Sequence, residues 1–220
     1  MALIRPAAWV VVASLAGGAC TAMSTIKTAD TVPAGKNQFI GALEANGGAP
    51  IELPVKPLLP EFVFGLRRGL TDRLDVGAKL TTLPLGHRIT TAGLEGQVKV
   101  QLRRVPWSRI KLAVGPAAGF RWISSAGAAM QVSYLTIPFI TGIDVGRHQI
   151  VVAPEAGVQL WTSAGANEVW APMLGMSLGF VWRISPHFAL VPEVAAYRST
   201  VKIDYSEGSQ MFHVGIGCLY

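Results

Sequence analysis

The sequence predicts a single antiparallel up-and-down transmembrane β-barrel of about ten strands, with eight as the smaller possibility. Three observations predict it. The 220-residue chain is half hydrophobic with a mean hydropathy of +0.40, and only 15% of it is charged, against roughly 25% in typical soluble domains. Beyond the N-terminus there is no run of about 18 apolar residues, so no spanning helix is available. A chain that meets lipid without helices has one other solution, a closed barrel. The third observation is a period of two from Gln38 onward. Leu94, Gly96, Val98, Val100 and Leu102 alternate with Glu95, Gln97, Lys99, Gln101 and Arg103, which places the two sets on opposite faces of a strand.

The N-terminus reads as an export signal over residues 1–20. Arg5 is its positive residue, Ala7 to Leu15 its apolar core and Gly17-Gly18-Ala19 its small residues. Cys20 follows at once, so the stretch resembles a bacterial lipoprotein signal, whose cysteine is lipidated after cleavage. It departs from that pattern at Gly17, where such signals carry Leu or a similar residue. The alternative is ordinary cleavage nearby, for example after Ala22. Residues 21–37 are polar, Thr-rich and aperiodic, and are expected to form a flexible linker to a barrel over 38–220.

Ten alternating segments follow, at about 38–46, 61–69, 74–81, 92–103, 110–122, 131–145, 149–161, 170–184, 187–198 and 211–220. Their connections sort into a short class (69–73, 104–109, 146–148, 185–186) and a longer class (47–60, 82–91, 123–130, 162–169, 199–210). That alternation is the plan of a membrane barrel, with turns at one end and loops at the other. Val114-Gly115-Pro116, Val152-Ala153-Pro154 and Leu190-Val191-Pro192 recur every 38 residues, the spacing of one strand pair with its loops. Proline cannot donate to a ladder, so bulges or kinks are expected at Pro116, Pro138, Pro154 and Pro192.

Sidedness comes from the same alternation. Leu174, Met176, Leu178, Phe180 and Trp182 form one face of their strand, opposed by Gly175, Ser177, Gly179 and Arg183. A bulky apolar face opposed by a small, partly charged one suits lipid outside and a narrow polar lumen inside. The lumen should therefore hold Glu95, Lys99, Lys111, Arg121, Glu155, Arg183 and Glu193. Ten strands enclose little more than the eight whose interior side chains fill, and buried charges must pair, so a plugged or very narrow lumen is expected. Aromatic belts should mark the two interfaces: Phe62, Phe64, Trp122, Tyr134, Trp170 and Phe212 toward the longer loops, and Trp107, Trp182, Phe188 and Tyr220 toward the short turns.

The most specific signal closes the chain. Phe212, Val214, Ile216, Cys218 and Tyr220 alternate up to an aromatic last residue. This resembles the C-terminal strand signal of bacterial outer-membrane β-barrels, and the stretch from Gly65 to Gly77 resembles the short hairpins of porin-like proteins. The resemblance implies the outer membrane as location, its lipids as surroundings and the barrel assembly machinery as partner during biogenesis, with the five C-terminal residues as the assembly signal.

Chemistry is sparse. The four histidines show no metal-ligand spacing, and neither a metal nor a cofactor is expected. The net charge of +6 is scattered, with no Lys/Arg run beyond pairs, which argues against nucleic acid. Two cysteines make no disulfide framework, and Cys218 reads as a small apolar strand residue. No catalytic residue is assigned. The leading expectation is a structural or binding barrel of the envelope or a narrow small-solute channel. One alternative is a membrane-embedded hydrolase or acyltransferase using His213 with Ser206, Glu207 or Ser209. The other is a soluble lipocalin-like barrel with its apolar set inside, anchored through Cys20.

Overall fold

The computed structural model describes residues 26–50, 59–82, 89–104, 109–125, 128–163, 168–203 and 206–220. The signal segment with Cys20 lies outside them. The strands are β1 (Asn37–Pro50), β2 (Leu59–Thr71), β3 (Leu74–Thr82), β4 (Ile89–Arg104), β5 (Ile110–Val114), β6 (Ala117–Ser125), β7 (Ala128–Val145), β8 (His148–Ser163), β9 (Val169–Ser185), β10 (Phe188–Ile203) and β11 (Ser206–Leu219). Every ladder is antiparallel. β1 pairs with both β2 and β11, so the sheet closes on itself. β5 and β6 are one strand interrupted at Gly115-Pro116, because Val114 faces Val100 and Ala117 faces Gln97 in a single register. The barrel is therefore ten-stranded.

Of the four prolines expected to bulge or kink their strands, Pro116 interrupts its strand without shifting the register, and no bulge forms at the other three. Register runs unshifted past Pro138 from Glu155 to Val152, and Pro154 and Pro192 sit opposite Met176 and Ile216 within continuous ladders. A fixed φ near −65° lies within the extended region, so each of these prolines costs a ladder donor without shifting the register. Its carbonyl still accepts. Val98 N–H donates to Pro116 O at 2.9 Å and Gly115 N–H to Pro138 O at 3.2 Å. Register shifts lie elsewhere, at Gly69/Thr71, Gln101/Arg103, Phe188/Ala189 and Ser199/Lys202.

The longer connections are shorter than their sequence suggests. β6 and β7 leave only 126–127 between them, and β10 and β11 leave 204–205. At this end the ladders run on through polar residues, where alternation of hydropathy no longer marks a strand. About ten tilted residues cross the hydrocarbon layer, whereas β7 has 18 and β9 has 17. The short turns at 72–73, 146–147 and 186–187 are two residues each. Gly146 adopts φ 61° there, a conformation glycine enters without Cβ conflict.

The faces separate cleanly. On β9, Leu174, Met176, Leu178 and Trp182 are exposed, while Ala171, Met173, Ser177 and Val181 are buried. Phe62, Phe64, Trp122, Trp170 and Phe212 are exposed on the outer face, as are Trp182 and Tyr220; Phe188 is half-buried, and Trp107 lies outside the described residues. Tyr134, expected in a belt, instead turns inward and donates its hydroxyl to Glu95 at 3.1 Å. Two inward-facing tyrosines lie over glycines on the neighbouring strand. A Cβ on Gly175 would meet the Tyr197 ring at 2.0 Å, and one on Gly119 would meet the Tyr134 hydroxyl at 2.6 Å.

The largest departure concerns the expected linker. Of residues 21–37, those from Ile26 to Val32 are packed inside the barrel: Ile26, Thr28, Ala29 and Val32 are all buried. The segment crosses the short-turn rim at Lys36 and Ala34, where Gly35 N–H donates to Gly69 O at 2.9 Å, and runs up into the lumen. The physical reason is volume. A ten-stranded barrel is wider than its inward side chains fill, and an interior void is costly. One extended chain takes up the surplus.

Candidate functional site: a filled, charged lumen

The inward positions build three polar layers. Nearest the short turns, Asp75 pairs with Arg67 at 3.1 Å and Lys99 at 3.3 Å. Beside them Lys111 bridges Asp30 and Asp144, both at 2.8 Å, and Arg183 pairs with Asp30 at 2.7 Å. The N-terminal segment supplies Asp30 and ties its backbone in as well. Val32 N–H donates to Asp75 at 2.9 Å, Ala29 N–H donates to Gln149 at 3.2 Å, and Lys99 donates to the carbonyl of Asp30.

At mid-height Lys27 pairs with Glu155, and its backbone N–H donates to Glu193 at 3.3 Å. Lys79 pairs with Glu95 at 3.1 Å. Toward the longer loops, Arg121 pairs with Glu61, which also accepts from Thr91 at 3.1 Å and Asn46 at 2.9 Å. There Asn46 Oδ1 lies 2.8 Å from His213 Nδ1, and Glu44 lies 4.0 Å from that nitrogen. Two apolar clusters fill the remaining space. Trp161, Met173, Tyr197 and Met211 belong to one in the loop half, and Ile26, Ala29, Ile140 and Val191 to the other in the turn half.

Each of the seven charged residues assigned to the lumen points inward. Glu95, Lys99, Arg121, Glu155 and Glu193 are buried, Lys111 is nearly so, and Arg183 is about one-third exposed at the rim. Most charged partners came from positions not singled out in the sequence. Glu61, Arg67, Asp75 and Lys79 share the parity that faces inward on their strands, opposite Phe62, Leu66, Val76 and Leu80, so the same alternation carried the signal. Lys27 and Asp30 carried no such signal, because their segment has no period of two.

The open spaces are few. A cavity of about 20 Å³ lies at mid-lumen between Lys27, Lys79, Glu95 and Glu155, enough for about one water molecule. A vestibule of about 590 Å³ opens at the short-turn end between the N-terminal segment and Arg183, His187 and Phe188. No group of three or more potential metal ligands occurs among the described residues. His213 is 1% exposed, and its Nε2 has no hydrogen-bond partner among the described residues. The side chains of Ser206, Glu207 and Ser209 lie outside those described. A ligand-binding barrel with its apolar set inside is contradicted, since the alternating apolar set, such as Leu174, Met176, Leu178 and Trp182, is on the outer face and the charges are within. Of the C-terminal five, Phe212, Val214, Ile216 and Tyr220 are exposed and Cys218 is half-buried.

No family model matches the chain, and no curated protein matches it. Solved structures do. The translocator domain of the autotransporter NalP from Neisseria meningitidis matches at 10% identity over 84% of this chain and 88% of that one, with a TM-score of 0.49. The outer membrane protease OmpT from Escherichia coli matches at 11% identity over 88% and 99%, with a TM-score of 0.47. The attachment invasion locus protein Ail of Yersinia pestis matches at 10% identity over 85% and 99%, with a TM-score of 0.30.

Proposed function

We propose that the chain is an outer-membrane β-barrel of the bacterial envelope, exported through its N-terminal signal, with a structural or binding role and a lumen closed at rest. The carrying observation is the inversion of polarity. Phe64, Leu174, Trp170 and Met176 are each more than half exposed on the outer face, while Arg67, Lys99, Asp75 and Glu155 are buried within. Large exposed apolar surface of this kind marks a membrane or partner contact. Here it continues around a closed wall, which suits lipid on all sides. No helix among the described residues is long and apolar enough to cross a membrane, which says nothing of strands. Lipidation of Cys20 belongs to the proposal and is read from the mass of the mature N-terminus. The test of the whole is fractionation and gel mobility. The protein should leave membranes only with detergent and migrate differently on SDS gels before and after boiling. Release by carbonate or high salt alone would overturn the reading.

A further inference from the structure

We propose that the segment Ile26–Lys36 is a displaceable plug, and that withdrawing it opens a cation-preferring path through the lumen. The inference rests on the membrane reading above and goes beyond it. Three observations carry it.

First, the wall does not need the segment. All ladders close without it, and β1 meets β11 as far as Phe39 and Tyr220, which exchange backbone hydrogen bonds at 2.7 and 3.0 Å. The segment itself makes a single isolated bridge, Ala34 to Gly69.

Second, its hold on the wall is not a ladder but a set of ion pairs at two heights, with scattered hydrogen bonds between its backbone and wall side chains. Lys27 binds Glu155 at mid-lumen, and Asp30 binds Lys111 and Arg183 near the rim. The wall's own pairs, Arg67–Asp75–Lys99, Lys79–Glu95 and Lys111–Asp144, remain when the segment leaves. Each of these wall cations thus keeps a carboxylate beside it with or without the plug.

Third, a way out already exists. The vestibule of about 590 Å³ runs beside the segment to the short-turn rim, so withdrawal toward that side displaces no strand. In the other direction the proposed path runs along the polar groups of the loop half, Asn46, Glu61 and Arg121, which are buried beside the apolar cluster of Trp161, Met173 and Met211 and must shift to let it through. Withdrawing Lys27 takes the ammonium away from Glu155 and the N–H from Glu193 at mid-lumen. A ring lined by carboxylates favours cations.

The test is conductance in planar bilayers with KCl, after heat-modifiability has shown that each protein is folded and inserted. The full-length chain should be closed most of the time. Deletion of residues 26–33 should raise the time-averaged conductance about tenfold or more, with potassium preferred over chloride by about threefold. A synthetic peptide of residues 26–36, added from the short-turn side, should close the deleted barrel again. A peptide carrying Lys27→Glu and Asp30→Lys should not. The same double substitution in the intact chain, which keeps its length, should raise conductance too. An inserted deletion barrel as closed as the full-length chain overturns the proposal. So does failure of both variants to fold where the full-length chain folds, since the segment would then be a strut of the fold. If the full-length chain itself never inserts, the membrane reading fails, and this one falls with it.

Discussion

Asp75 is fully buried and serves three partners at once: the guanidinium of Arg67, the ammonium of Lys99 and the N–H of Val32. Removing a buried carboxylate from such a cluster leaves two cations facing each other in a poorly solvated space, and breaking a buried ion pair in this way costs about 3–5 kcal/mol. Asp75→Asn should therefore lower the temperature at which the folded gel band disappears. Asp72→Asn, at an exposed turn three residues earlier, should leave it nearly unchanged, within about 0.5 kcal/mol. Equal melting of the two variants would remove Asp75 from the centre of the lumen cluster. Legibility at this scale was uneven. The inward parity of Glu95, Lys99 and Arg121 was readable from alternation alone. Their partners were not, because strand parity says which face a side chain takes but nothing of its height or its neighbour across the lumen. Tyr134 shows the same limit. Its aromatic ring suggested an interface, whereas its partner strand offers Gly119 as a seat and the next strand offers Glu95 as an acceptor.

At the scale of elements, the strands were the most legible part, since ten segments of alternating hydropathy became ten strands. What misled were residues whose usual meaning is local. Prolines suggest bulges, yet here Pro138, Pro154 and Pro192 hold register because their φ suits an extended chain and their carbonyls still accept. Residues 26–36 suggest a linker because they lack any period, yet Ile26, Ala29 and Val32, spaced by three, are buried, with Thr28 between them. Polar residues beyond the apolar band hid the upper ends of β10 and β11. The closing seam makes its own prediction. Tyr220 is in register with Phe39 and 70% exposed on the outer face, so it both completes the β1–β11 ladder and presents an aromatic at an interface. Until that seam forms, two edges carry unpaired N–H and C=O groups, each costing several kcal/mol in lipid. Deleting Tyr220 should lower the yield of heat-modifiable, inserted protein at equal expression, more than a one-residue deletion in the connection 164–167. Equal insertion of the two would mean that the last residue is dispensable for assembly.

For the whole molecule, the two ends of the barrel differ in construction, and that difference sets its orientation. One end is made of two-residue turns at 72–73, 146–147 and 186–187, and it is the end through which the N-terminal segment enters beside Gly69. The other end has ladders that climb past the apolar band on polar residues before they connect. Membrane barrels of the bacterial envelope carry short turns toward the periplasm and longer extensions outward. A physical reason supports the same sense here. An exported chain arrives from the periplasmic side, so the hairpin ends that must cross the lipid are the leading ones, while the start of the first strand of the wall and the end of the last stay behind. In this barrel Lys36 and Tyr220 both lie at the short-turn end, beside the vestibule. Placing that end outward would require these first and last strand ends to be carried across as well. The expectation is that an epitope inserted at 126–127 or 164–167 is labelled on intact cells, whereas one inserted at Gly146-Arg147 is labelled only after the outer membrane is permeabilised. Each insertion should first pass the heat-modifiability test, so that a misfolded barrel is not read as an inverted one. Labelling of the Gly146-Arg147 epitope on intact cells, with silence at the other two, would invert the barrel. It would also place the vestibule and the plug's way out on the external face, where a partner outside the cell, and not one in the periplasm, could draw on it.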